Sequence, residues 1–287
     1  MSKKRTKQGY FRHVQNRHRR QWQSVSKENV GQVNVVNKEC KTMNFLKMFS
    51  PVTILQDLCA IPAITKLWLA LFAVGIGYLS HTWGDPWYGT LSAVSGVICV
   101  VLVAEGRISN YAWGLVNCVL YGLVSYQNKF YGDMSLNWFI YVPFQFIGFY
   151  IWHKSMNLSD DGELEVKVLS PRELLIGALL VCWMTFVLGV GLDHFGGAHP
   201  FTDASNVVWS VAATWLMAKR YREQWFCWIC VNITGIAMWS MATIANEGPG
   251  LSSLAMWLAF FVNSLYGVYK WSVKYHRAKL LREAKAW

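Results

Sequence analysis

Residues 110–122 read NYAWGLVNCVLYG and residues 225–237 read WFCWICVNITGIA, so Trp113 and Asn117 recur as Trp228 and Asn232 at an offset of 115. Farther on, FQFIGFYIW at 144–152 and NSLYGVYKW at 263–271 set Gly148, Tyr150 and Trp152 against Gly267, Tyr269 and Trp271, now at an offset of 119. Two motif pairs in the same order mark an internal repeat. The plain alternative, chance likeness between aromatic-rich helices, does not account for the shared order.

Both copies sit in strongly apolar surroundings. The chain has 287 residues, of which 54% are hydrophobic and only 15% charged, with 16 Trp, 13 Tyr and 15 Phe. The apolar residues fall in blocks close to the roughly 20 needed for a helix to cross hydrocarbon. These blocks predict eight spans, at 67–82, 87–104, 111–126, 135–153, 172–192, 203–218, 225–244 and 251–272. The first is interrupted at Lys66, and an interfacial helix is its alternative reading.

Charge settles that choice. Residues 1–66 hold 13 of the 27 basic residues and three acids. Cytoplasmic loops are rich in Lys and Arg. With eight spans, Arg107, then Lys154, Lys167 and Arg172, then Lys219, Arg220 and Arg222, and then six bases from Lys270 to Lys285 all lie on the side of this basic arm. The opposite breaks hold Lys129 with Asp85, Asp133, Asp193, Asp203 and Glu247. Both termini are therefore expected in the cytoplasm. The net charge of +11 reads as a topology signal, without nucleic acid as a partner. The lipid bilayer is the expected surrounding, and an arm lying on anionic lipid competes with a solvated tail. About 60 polar residues precede any apolar run, so no cleavable leader is expected.

Three spans thus correspond to three later ones, separated by the lone span at 172–192. That intervening helix restores the direction of the second copy. The expected fold is an all-α polytopic membrane protein in which two parallel three-helix repeats are joined by a linker helix (3+1+3), with one extra N-terminal span. The organisation reads as a basic cytoplasmic arm at 1–60, the extra span at 61–85, repeat 1 at 86–154, an acidic connector and linker helix at 155–200, repeat 2 at 201–273 and a basic cytoplasmic tail at 274–287. A substrate site is expected at the repeat interface near the midplane.

The stretches EGRISNYAWGLVNCVLYG at 105–122 and AKRYREQWFCWICVN at 218–232, with the helix that carries Gln145, resemble the PnuC-type nicotinamide riboside transporters over about 86–275. The resemblance implies a fold related to the SWEET sugar transporters and a bacterial inner-membrane location. It also implies facilitated diffusion of nicotinamide riboside for NAD biosynthesis, retention of the substrate by a cytoplasmic riboside kinase, and a homo-oligomer, a trimer. It says nothing of the basic arm or the first span.

The residues themselves suit that substrate class. At hydrocarbon depth the seven core spans carry no Asp, Glu, Lys, Arg or His; Glu105, His153, Glu173, Asp203 and Lys270 lie at span ends. Proton-coupled carriers need a titratable relay, and phosphate carriers need fixed positive charge. A uniporter for an unphosphorylated solute fits better. Trp113, Asn117 and Tyr121 are four apart on one stripe, with Trp228 and Asn232 as repeat partners; Asn137, Tyr141, Gln145, Gly148 and Trp152 share another face. Amides offer donors and acceptors to a carboxamide or ribose hydroxyls, and aromatic faces hold a pyridinium ring. The candidate substrate-binding residues are Trp113, Asn117, Tyr121, Gln145, Asn206, Trp209, Trp228, Asn232 and Asn263. Their alternative role is to bond neighbouring helices. Ser92 and Ser95 are the polar choices on the second span, whereas Trp83, Trp87, Trp152 and Trp271, near helix ends, read as an interfacial belt.

Other chemistry finds little support. Cys227 and Cys230 form a C-x-x-C inside an apolar run and read, like the other cysteines, as small buried hydrophobes. Asp193, His194 and His199 lack a fourth ligand, so no metal is expected. Phosphate loops and nucleophile elbows are absent, no cofactor is expected, and the protein reads as a non-enzyme. The break at 155–170, with Asp160, Asp161, Glu163 and Glu165, reads as a solvated connector. Two rival functions are a carrier of another small polar solute, such as a sugar or riboside, on the same fold, and a non-transporting membrane sensor whose output is the basic arm.

Overall fold

A computed structural model describes residues 48–128, 130–158, 163–194, 200–244 and 251–285. The described chain is helical nearly throughout: α1 (Pro51–Ala60), α2 (Ala63–Trp83), α3 (Trp87–Glu105), α4 (Asn110–Gln127), α5 (Tyr131–Ser135), a π-helical turn (Leu136–Tyr141), α6 (Val142–Asn157), α7 (Pro171–His194), α8 (Pro200–Ala218), α9 (Gln224–Ile244) and α10 (Leu251–Lys285). The basic arm up to Lys47 and His199 lie outside the described residues.

Local sequence explains where the helices begin and end. Pro51, Pro171 and Pro200 occupy first turns, where a missing N–H costs nothing. Gly84 and Gly106 end α2 and α3 with φ of 72° and 70°, a left-handed conformation that glycine adopts without a Cβ clash. Arg220, after α8, takes the same conformation at φ 68°. Pro143 supplies no N–H to the turn before it and crowds the carbonyl four residues back, and the π turn lies in that stretch.

Four described helices are long and apolar enough to cross a membrane by length and composition, namely Ala63–Trp83, Trp87–Glu105, Pro171–His194 and Leu251–Leu280. The remaining predicted spans coincide with α4, the α5–π–α6 run, α8 and α9; α4, α8 and α9 carry more polar residues, and the π turn divides the other run into shorter helices. A helix satisfies its own backbone groups, which lipid cannot do. The last span was predicted to stop near 272; α10 instead continues to Lys285, about 52 Å at 1.5 Å per residue.

α3 is central, packing on α2, α4 and α10, while α4 and α8 both meet the α5–π–α6 run and α9 lies between α8 and α10. Val97, Val101, Leu102, Val231, Met256 and Ala259 form part of the buried core. α7 buries Gly189 against Phe201 and exposes Leu175, Leu179, Trp183 and Phe186, the profile of a lipid-facing helix.

Two expectations need correction. Trp83 and Trp87 are exposed, as a belt requires, but Trp152 and Trp271 are wholly buried. Trp152 Nε1 donates to the Met217 carbonyl at 3.0 Å and Trp271 Nε1 to the Val103 carbonyl at 3.1 Å. Nor is the described part of the connector simply solvated. Leu164 and Val166 are buried, and Lys167 N–H donates to the Arg220 carbonyl while Arg222 N–H donates back to the Lys167 carbonyl, both at 2.9 Å. Glu163 pairs with Lys274 at 3.4 Å.

Candidate functional site

The six helical runs around the core line a partly open cavity of about 110 Å³, space for on the order of ten waters. Its walls take four residues from each run: Gly96, Cys99, Val100 and Val103 from α3; Gly114, Asn117, Cys118 and Tyr121 from α4; Asp133, Asn137, Tyr141 and Gln145 from α5–π–α6. The rest come from α8 (Asn206, Ser210, Thr214, Met217), α9 (Trp225, Trp228, Val231, Asn232) and α10 (Met256, Trp257, Phe260, Ser264). Neither α2 nor α7 contributes a lining residue.

The π turn has a specific effect here. In an unbroken α-helix, positions four apart drift round the axis by about 40° per step. Asp133, Asn137, Tyr141 and Gln145 are spaced by four, yet all reach the cavity, because the wider turn at Leu136–Tyr141 takes up the drift.

Six of the nine sequence-predicted residues line the cavity: Asn117, Tyr121, Gln145, Asn206, Trp228 and Asn232. Asn117 Nδ2 donates to the Ser92 carbonyl at 2.9 Å, Asn232 Nδ2 to Ser264 Oγ at 2.8 Å, and Thr234 Oγ1 to Asn206 Oδ1 at 2.6 Å. Gln145 is buried, with Nε2 3.6 Å from Cys118 Sγ and with Oε1 lacking a hydrogen-bond partner. Trp225 Nε1, also buried, has no partner. Ser210 Oγ, also in the wall, is likewise without a partner, so the unused groups include an acceptor and a donor, as a carboxamide requires.

Trp113, Trp209 and Asn263 do not line the cavity. Both tryptophans pack against the hydrophobic core, and Asn263 is fully buried with Nδ2 2.7 Å from the Val100 carbonyl, bonding α10 to α3.

The sequence reading passed over Trp225, Trp257 and above all Asp133, which it placed in a polar break. Its signal was the four-residue step that runs back from Gln145 through Tyr141 and Asn137. Tyr121 Oη lies 3.1 Å from Asp133 Oδ2, 2.7 Å from Trp239 Nε1 and 3.0 Å from Trp257 Nε1. An indole N–H can only donate, so the phenol accepts twice and its own proton points to Asp133. Tyr141 and Trp228 form an edge-on aromatic pair on another part of the wall, 6.2 Å between centroids.

No Lys, Arg or His lines the cavity among the described residues. The described residues contain no cluster of three potential metal ligands, and Cys227 and Cys230 are free thiols, with Cys227 buried.

Residues 86–273 match the family model described as nicotinamide mononucleotide transporter. The chain is 41% identical over 216 residues to the nicotinamide riboside transporter PnuC of Neisseria mucosa, covering 73% of this chain and 82% of that protein. It is 36% identical over 207 residues to the protein of the same name from Haemophilus influenzae, covering 72% and 88%. Among solved structures, the vitamin B3 transporter PnuC superposes with a TM-score of 0.72 at 37% identity, covering 79% of this chain and 99% of that one. The extent of these matches over the cavity-forming helices shows that the chain belongs to the nicotinamide mononucleotide transporter family, a family of multi-pass membrane transporters.

Proposed function

We propose that this protein carries nicotinamide riboside across the bacterial inner membrane as a uniporter, by facilitated diffusion for NAD biosynthesis. The observation that carries this reading is a cavity walled by amides and aromatic rings with no Lys or Arg among its described residues. Two relatives bear this substrate in their names. The family description names the mononucleotide instead, but its phosphate would enter such a wall without a cation to meet it.

The same proposal includes two parallel three-helix units, α3–α4–α6 and α8–α9–α10, with α7 as linker and α2 as an extra span. It is supported by the equal contribution of six helical runs to the cavity, and by the left-handed residues Gly106 and Arg220 that end α3 and α8. Further support comes from Trp152 and Trp271, each bonded to the carbonyl three residues before the other unit's left-handed residue. Rocking of one unit against the other would expose the cavity to one side at a time. Cytoplasmic termini, trapping by a riboside kinase and a trimeric homo-oligomer belong to this reading as well.

The test is uptake of labelled nicotinamide riboside into liposomes holding the full-length protein, without ion or nucleotide gradient. Equilibration by the wild type, slowed at least about tenfold in Gln145→Ala and Asn232→Ala variants that keep their fold, supports the proposal. Equilibration of another small polar solute and not of the riboside redirects the substrate assignment. Uptake that collapses with the proton gradient at fixed membrane potential overturns uniport.

A further inference from the structure

Asp133 is the one formally charged side chain among the described residues that line the cavity. The ion pairs of the described residues lie elsewhere, for example between Lys270 and Glu105 at 2.9 Å, and none includes Asp133. Its surroundings fix it in place. Asn137 Nδ2 donates to its backbone carbonyl at 2.9 Å, and the Tyr121 proton is directed at Oδ2. Tyr121 in turn accepts the N–H of Trp257, whose ring lines the cavity. An aromatic face and an acceptor carboxylate therefore belong to one hydrogen-bonded unit.

A carboxylate in the cavity wall of a membrane carrier is costly to leave uncompensated, and calls for something of opposite sign to meet it. With no cationic side chain in the described wall, the partner has to arrive with the solute. We propose that Asp133 is the counter-charge for the substrate's cationic ring, and that it selects flat aromatic monocations over neutral or anionic ribosides of the same shape. This rests on the transport reading above and extends it from substrate size and hydrogen bonding to substrate charge. It also gives phosphorylated ribosides a second reason to be refused, since the fixed charge in the wall repels them.

The experiment compares nicotinamide riboside with benzamide riboside, a neutral ring of nearly the same outline, as competitors of labelled nicotinamide riboside in liposomes holding the full-length protein. The wild type is expected to prefer the cation by about tenfold or more, because a charge pair at a few ångströms outside bulk water interacts strongly. Asp133→Asn should bring the preference to within about twofold, Asp133→Glu should restore most of it, and Tyr121→Phe, which removes the hydrogen bond and keeps the charge, should retain it. An Asp133→Asn variant that weakens both ligands equally would assign the carboxylate to holding Tyr121 and overturn the proposal. So would an unchanged preference. A wild type that takes up neither riboside would instead remove the transport reading, and this inference with it.

Discussion

Trp152 and Trp271 meet ring to ring at 6.0 Å, and each gives its N–H to a carbonyl of a different helix, Met217 at the end of α8 and Val103 at the end of α3. Those carbonyls also accept from Arg220 and Gly106 N–H groups at 3.0 Å, so loss of the indole leaves neither orphaned. Trp152→Phe and Trp271→Phe are each expected to cost about 1 kcal/mol of stability. The two should couple when combined, because the rings touch. Thermal unfolding of the purified protein in detergent measures both effects.

Two glycines separate function from stability. A Cβ on Gly114 would lie 2.5 Å from Gln145 Oε1, the end of a side chain that can swing into the cavity. Gly114→Ala is therefore expected to weaken riboside binding by about tenfold with little loss of stability. On Gly148 the Cβ would instead meet the ring of fully buried Tyr111 at 2.5 Å. Gly148→Ala should lower stability by about 1–3 kcal/mol. Calorimetric titration alongside thermal unfolding tells the two apart.

Asn263 and Gln145 make a matched pair of buried amides, one outside the cavity wall and one within it. Asn263→Ala is expected to destabilise the protein by about 1 kcal/mol through loss of its bond to Val100, with substrate affinity unchanged. Gln145→Ala should weaken substrate binding with stability nearly unchanged. Equal affinity losses in both would count against the cavity as the binding site.

Glu105 gathers three elements, accepting from Lys270 at 2.9 Å and from Tyr266 at 2.6 Å, whose hydroxyl is 3.1 Å from Thr65 on α2. Glu105→Ala would leave a partly buried ammonium without its carboxylate and the phenol with Thr65 alone, and is expected to cost about 2–3 kcal/mol. Glu105→Gln, which keeps an acceptor, should recover part of that in the same unfolding measurement.

The spans were legible because the length and apolarity of a membrane helix are properties of the chain itself. The inward faces were legible where the amides stand at helical spacing, as Asn117, Gln145 and Asn232 do. Trp113 lies about 40° round the helix from Asn117, and that offset carries it out of the cavity and onto the core. Asp133 was hidden by a different effect: a charged residue at the edge of an apolar block reads as a loop, and nothing in the pattern announces a π turn that holds four positions on one face. Leu164 and Val166 were hidden because a short acidic segment gives no periodic signal of the surface that covers it.

The two backbone bonds that join Lys167 to Arg220 and Arg222 tie the segment leading into α7 to the turn between α8 and α9. Leu164 of the same segment lies against Gly106 at the end of α3, where an added Cβ would meet it at 3.5 Å. A hinge opening at this end of the bundle must either sever those bonds or drag the strap along with one side. In the first case the Lys167 and Arg222 amides would exchange with deuterium at the pace of turnover; in the second they would stay protected through every cycle. The strap thereby makes the order of motion at this end of the protein readable from two amide protons.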